Sequence, residues 1–188
     1  MRIFKGLLLV TMLVVAVAYW WNSRPRQEID LSGASQPEAG ESAPVDPKDF
    51  TATDAKGRPV TLSSLRGKPI LLNFWASWCP PCLSELPALL KFANAMKRDV
   101  GLEVVAVSVD KEWAPVTKLF AEKKLWPHEE LPLTILLNAD GGIATSYGTA
   151  KFPETYFIDK SFKMIRKFAG AQDWTSQETT QWIIEHSK

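Results

Sequence analysis

The sequence predicts an α/β domain whose sheet contains parallel strand pairs. Three features carry the prediction. Ile70–Trp75 and residues 104–109 are apolar runs of buried-strand length, the second rich in β-branched valines. Between them Leu83, Leu86, Leu89, Leu90, Ala93 and Met96 recur at helical spacing. The alternation of strand-like and helix-like segments then continues to the carboxyl end, and strands separated by helices make the crossovers that pair strands in parallel.

In chain order, residues 1–21 read as an N-terminal transmembrane helix. Arg2 and Lys5 give a positive start, and residues 6–21 carry no charge. Those residues span roughly 24 Å as a helix, short against a hydrocarbon core of about 30 Å. Arg2 and Lys5 can snorkel, and Tyr19, Trp20 and Trp21 suit the far interface. Ala16-Val17-Ala18 is an acceptable cleavage site, so a cleaved signal segment is the alternative; the bulky aromatics just after it favour the anchor. Residues 22–48 are rich in Pro, Ser, Ala and Glu and cannot bury enough apolar surface to order themselves. They read as a flexible linker to a domain at 49–188.

Within the domain, residues 50–53 and 58–61 around Lys56-Gly57 predict an N-terminal β-hairpin extension. After the strand–helix–strand unit, residues 112–124 predict a helix with Trp113, Val116, Leu119 and Phe120 on one side. Residues 133–137 read as strand and 143–147 as a short helical piece. Residues 155–158 and 164–168 read as neighbouring strands, and 174–186 as a terminal helix.

A formal charge of +1, from 22 basic and 21 acidic side chains, gives no basic excess for binding nucleic acid. Two cysteines are too few for a disulfide-stapled scaffold, so the core is hydrophobic and the pair is available for chemistry. A zinc site needs about four ligands; there is no second cysteine pair, and His128 and His186 stand alone in sequence, so no metal is expected. A structural disulfide closing so short a loop would stabilise little.

The pair sits where a strand ends and a helix begins, in Phe74-Trp75-Ala76-Ser77-Trp78-Cys79-Pro80-Pro81-Cys82. The first helical turn presents unpaired N–H groups and the positive end of the dipole, which stabilise a thiolate at Cys79. Cys79 would attack a substrate disulfide, and Cys82, one turn in, would resolve the mixed disulfide. Pro80 and Pro81 suit a first turn, where proline forfeits no needed donor.

From Asp49 onward the chain resembles the thioredoxin superfamily, and within it the TlpA/ResA/CcmG (DsbE)-like thiol–disulfide oxidoreductases. Arg66-Gly67-Lys68-Pro69 leading into Asn73–Cys82, Pro87, and Gly148–Asp159 with Phe152-Pro153 carry the resemblance. It implies a thioredoxin fold, a central mixed β-sheet flanked by helices, with a redox-active Cys79–Cys82 disulfide and no other cofactor. Pro153 takes the place of a cis-proline facing the cysteines. Trp78, Pro80, Pro81, Phe152 and Pro153 are the candidate substrate-binding residues. Glu85 takes the place of a partly buried, proton-handling glutamate, and joins Cys79 and Cys82 as a candidate catalytic residue. Asn73 departs from the ordinary thioredoxin pattern, where a buried aspartate stands.

The resemblance also implies a setting: an inner-membrane, single-pass protein with its catalytic domain in the periplasm or equivalent space. It would reduce protein disulfides, apocytochrome c among them, with electrons from a membrane thiol transporter of the CcdA/DsbD type. The alternatives are a reductant for metal-carrier or oxidase-assembly proteins, a disulfide-forming oxidant, and a non-catalytic peptide-binding module.

Overall fold

The computed structural model describes Trp20, residues 41–125 and residues 130–188. The expected anchor at 1–21 (Trp20 apart), most of the expected linker, and His128 lie outside the described residues. Among the described residues no helix is long and apolar enough to cross a membrane.

Eight described strands form one mixed sheet: β1 Glu41–Val45, β2 Thr51–Asp54, β3 Pro59–Thr61, β4 Ile70–Trp75, β5 Glu103–Ser108, β6 Thr134–Leu137, β7 Glu154–Ile158 and β8 Met164–Ala169. Four described helices accompany them: α1 Pro80–Val100, α2 Trp113–Lys123, α3 Gly142–Ser146 and α4 Gln177–His186, with a 3-10 turn at Leu62–Leu65. The strand order is β1-β8-β7-β4-β5-β6-β2-β3. The crossovers through α1 and α2 make β4–β5 and β5–β6 parallel, as the spacing predicts, while β7 joins β4 antiparallel and makes the sheet mixed. β2 and β3 pair antiparallel at the far edge.

The central strands are covered on both faces, so their side chains divide with a period of two. Leu71, Trp75, Val104 and Ala106 join α1, α2 and α4 in one core, through Leu86, Leu89, Leu90, Val116 and Ile183. Ile70, Leu72, Phe74, Val105 and Val107 face the other way, against Leu62, Ala52 and Ala144. All six residues of β4 are buried. This places the carboxyl end of β4, and the loop after it, on a support that cannot shift without opening two cores.

Two boundaries differ from the sequence reading by more than one residue. β1 lies inside the stretch expected to be linker, and pairs with the outer side of β8 (Glu41 opposite Arg166, Val45 opposite Met164). Its composition gives no strand pattern; the open edge of β8 supplies the hydrogen bonds that order it. The terminal helix begins at Gln177 rather than at Trp174, because the Ser176 hydroxyl accepts the Thr179 N–H at 3.2 Å and caps it there. Trp174 is thereby left in the preceding loop, free to serve the site described next.

Candidate active site

The site begins with a change of backbone direction. β4 ends at Trp75, the Cys79 N–H bonds back to the Ala76 carbonyl at 3.2 Å, and α1 starts at Pro80. Cys79 is the N-cap residue, with extended backbone angles, and its sulfur accepts the Cys82 N–H at 3.3 Å. Sulfur here occupies the position of an oxygen cap, so an orphan helix donor points at it. Pro80 and Pro81 fill the first turn and are exposed.

Cys79 and Cys82 form a disulfide, with Cα atoms 5.3 Å apart. Both are nearly covered, at 4 % and 2 % exposure. The sulfur of Cys79 lies 3.6 Å from the Phe152 carbonyl oxygen. In the disulfide this is a contact; in the dithiol the thiol can donate along the same line. The Phe152–Pro153 peptide is cis, at the place read from the sequence. Trp78 stands outside the pair, 63 % exposed, with its ring edge-on to Phe152 at 6.1 Å. Thus Trp78, Cys79, Phe152 and Pro153, from loops 73 to 75 residues apart, converge, and Pro80 and Pro81 extend the exposed side along the helix start.

Glu85 lies one turn beyond Cys82, is buried, and has three donors. The Asn73 amide reaches Oε1 at 3.3 Å; the Gln172 backbone N–H and the Trp174 indole reach Oε2 at 2.9 and 3.2 Å. Burial dominates and pushes its pKa from 4.5 up to about 7, against the pull of those three donors. Asn73 is positioned by register: it sits opposite Thr155 on β7 and donates to that hydroxyl at 2.9 Å. The neighbour that β4 gives Glu85 is therefore an uncharged amide.

Sequence reasoning missed Gln172 and Trp174, which lie 87 and 89 positions from Glu85. Trp174 carried a signal, an indole at the first position of the expected terminal helix, but nothing local said that it turns inward. Among the described residues no three His, Cys, Asp or Glu side chains are grouped to hold a metal ion.

Known proteins place this geometry in a family. Residues 40–167 match the AhpC/TSA family. The chain is 30 % identical over 146 residues to the thiol-disulfide oxidoreductase ResA of Bacillus thuringiensis subsp. konkukian, covering 78 % of this chain and 77 % of that protein. It is 30 % identical over 132 residues to ResA of Bacillus subtilis, covering 66 % of each. The crystal structure of a Chlorobium tepidum protein assigned as a thiol:disulfide interchange protein DsbE superposes with a TM-score of 0.67 at 26 % identity, over 79 % of this chain and all of that one. With a disulfide held at a strand-to-helix turn on a thioredoxin-like sheet, the chain belongs to the AhpC/TSA family and is a thiol–disulfide oxidoreductase.

Proposed function

We propose that the protein reduces disulfides in other proteins on the outer side of the cytoplasmic membrane, with Cys79 as nucleophile and Cys82 as resolving thiol. The observation that carries this is the Cys82 N–H aimed at the Cys79 sulfur at a helix start, which favours a thiolate over a thiol. The Cys79 thiolate attacks one substrate sulfur and expels the other as thiolate. The Cys82 thiol then loses its proton and attacks Cys79, so the substrate leaves as a dithiol and the protein ends as the disulfide. Two electrons have moved to the substrate. Glu85, with a pKa of about 7, takes the Cys82 proton near neutral pH and returns it in the opposite direction. Trp78, Pro80, Pro81, Phe152 and Pro153 form the surface on which the substrate segment lies.

The apolar run at 6–21 supports a single-pass anchor, and the family resemblance supports c-type cytochrome maturation with electrons from a CcdA/DsbD-type transporter. Equilibration of the purified protein with defined thiol buffers tests direction. A potential of about −270 mV or lower is expected; one near −120 mV makes the protein an oxidant and removes the reductase reading. A Cys82→Ser protein should accumulate a mixed disulfide through Cys79. A strain lacking the protein should fail to attach haem to c-type cytochromes, and full haem loading in it would remove the pathway.

A further inference from the structure

Beyond the dithiol and Glu85, one buried carboxylate lies beside the site and has no part in the chemistry above. Asp110 follows β5 and is 3 % exposed. Among the described residues no ion pair to it is formed. Its Oδ2 accepts the Ser77 N–H at 2.9 Å and the Ser108 hydroxyl at 2.5 Å, and its Oδ1 accepts the Ser77 hydroxyl at 2.7 Å. Its own N–H is held by the Ser108 hydroxyl oxygen at 3.0 Å. Ser108 in turn belongs to the buried end of β5, and its carbonyl accepts the Asn138 N–H at 2.8 Å. A chain of short bonds therefore runs from the centre of the sheet to Ser77, two residues before Cys79.

Burying a carboxylate costs free energy unless charge-assisted bonds replace its water. A loop that only had to be closed could use backbone bonds, and this one already does: the Val109 N–H reaches the Trp75 carbonyl at 3.0 Å, and the Cys79 N–H reaches Ala76. The carboxylate adds what those bonds lack, a two-point grip on one residue. Beyond that grip Trp78 is exposed and held only loosely by its edge-on contact with Phe152. Cys79 depends on the loop for its alignment with both the Cys82 N–H and the Phe152 carbonyl.

We propose that Asp110, gripping Ser77 through both carboxylate oxygens and braced by Ser108, is a positioning residue for thiol–disulfide exchange: it holds the loop so that Cys79 stays on the helix N-terminus and faces Phe152. This rests on Cys79 being the nucleophile. Loosening the grip lets the sulfur drift from its N–H partner, which raises the thiol pKa and misaligns it for attack; misplacements of about 1 Å can cost up to about a hundredfold in rate.

Ser77→Ala and Ser77→Thr test this in the full-length protein, with Asp110→Asn as a third variant. Ser77→Ala removes one grip point and leaves Asp110 and its remaining bonds in place. Its rate of reaction with oxidised glutathione should fall about tenfold, and the pH profile of Cys79 alkylation should move upward by about half a unit or more. Its melting temperature should stay within a few degrees of the parent. Ser77→Thr keeps the hydroxyl and should restore both readouts to within about twofold. An unchanged rate and alkylation profile in Ser77→Ala, or a loss that Ser77→Thr does not restore, overturns the proposal, whether or not Asp110→Asn folds. A parent protein no faster than Cys79→Ser would instead show that the nucleophile assignment has failed.

Discussion

Glu85→Gln should remove the pH dependence that one carboxyl imposes on stability. The folded chain holds the Glu85 proton up to a pH of about 7, whereas an ordinary glutamate releases it at 4.5. Below 4.5 the carboxyl is protonated in both folded and unfolded chains and costs nothing. Between 4.5 and 7 the unfolded chain sheds a proton that the folded chain keeps, so stability falls as pH rises, and above 7 the loss is complete. At about 1.36 kcal/mol per pH unit, the gap from 4.5 to about 7 amounts to about 3 kcal/mol. The glutamine cannot ionise and escapes this loss. Urea unfolding of the disulfide forms of both proteins from pH 4.5 to 8.5 measures it; in that form the cysteines do not titrate. The aspartates with lowered pKa values, Asp46, Asp49, Asp54, Asp140 and Asp173, are common to both proteins and cancel in the difference. The parent should lose about 3 kcal/mol relative to the variant across the range. A difference that stays flat within about 0.5 kcal/mol would show that Glu85 is as well solvated folded as unfolded, and would refute the reasoning.

Other substitutions probe the supports of the site. Trp174→Phe removes the indole donor to Glu85 at 3.2 Å, so the Glu85 transition should move higher still; a downward move, read by carboxyl chemical shift, would contradict the assigned bond. Gly101 closes α1 with φ at 71° and has nothing within 4 Å of an added Cβ. Gly101→Ala should therefore cost only backbone strain, about 1 kcal/mol or about 2–4 °C in melting temperature, and an unchanged melting temperature would count against it. Leu89, 1 % exposed in the core beneath α1, should cost about 2–5 kcal/mol on truncation to alanine, and a loss under about 1 kcal/mol would mean that the core closes around the gap.

Features that depend on neighbours in sequence could be read without the structure. The apolar runs of the strands and the helical spacing from Leu83 to Met96 reflect burial repeated along a single element, so the strand–helix alternation and the presence of parallel strand pairs, found at β4–β5 and β5–β6, were legible. The dithiol was legible because its chemistry needs only a strand end, a helix start and two cysteines with two residues between them. What sets the properties of that dithiol was not. Glu85 could be picked out at its spacing from Cys82, but its partners Asn73, Gln172 and Trp174 come from two other parts of the chain, and its shift depends on how far they exclude water. Ser77 and Asp110 are 33 positions apart and meet because β5 lies parallel to β4. β1 was hidden for a related reason: a short edge strand is ordered by the hydrogen bonds its neighbour offers, whatever its own side chains. The sequence by itself determined most of the elements and the place of the cysteine pair. Tertiary structure decided the solvation and alignment of those atoms, because burial and hydrogen-bond geometry depend on distances that only the assembled sheet defines.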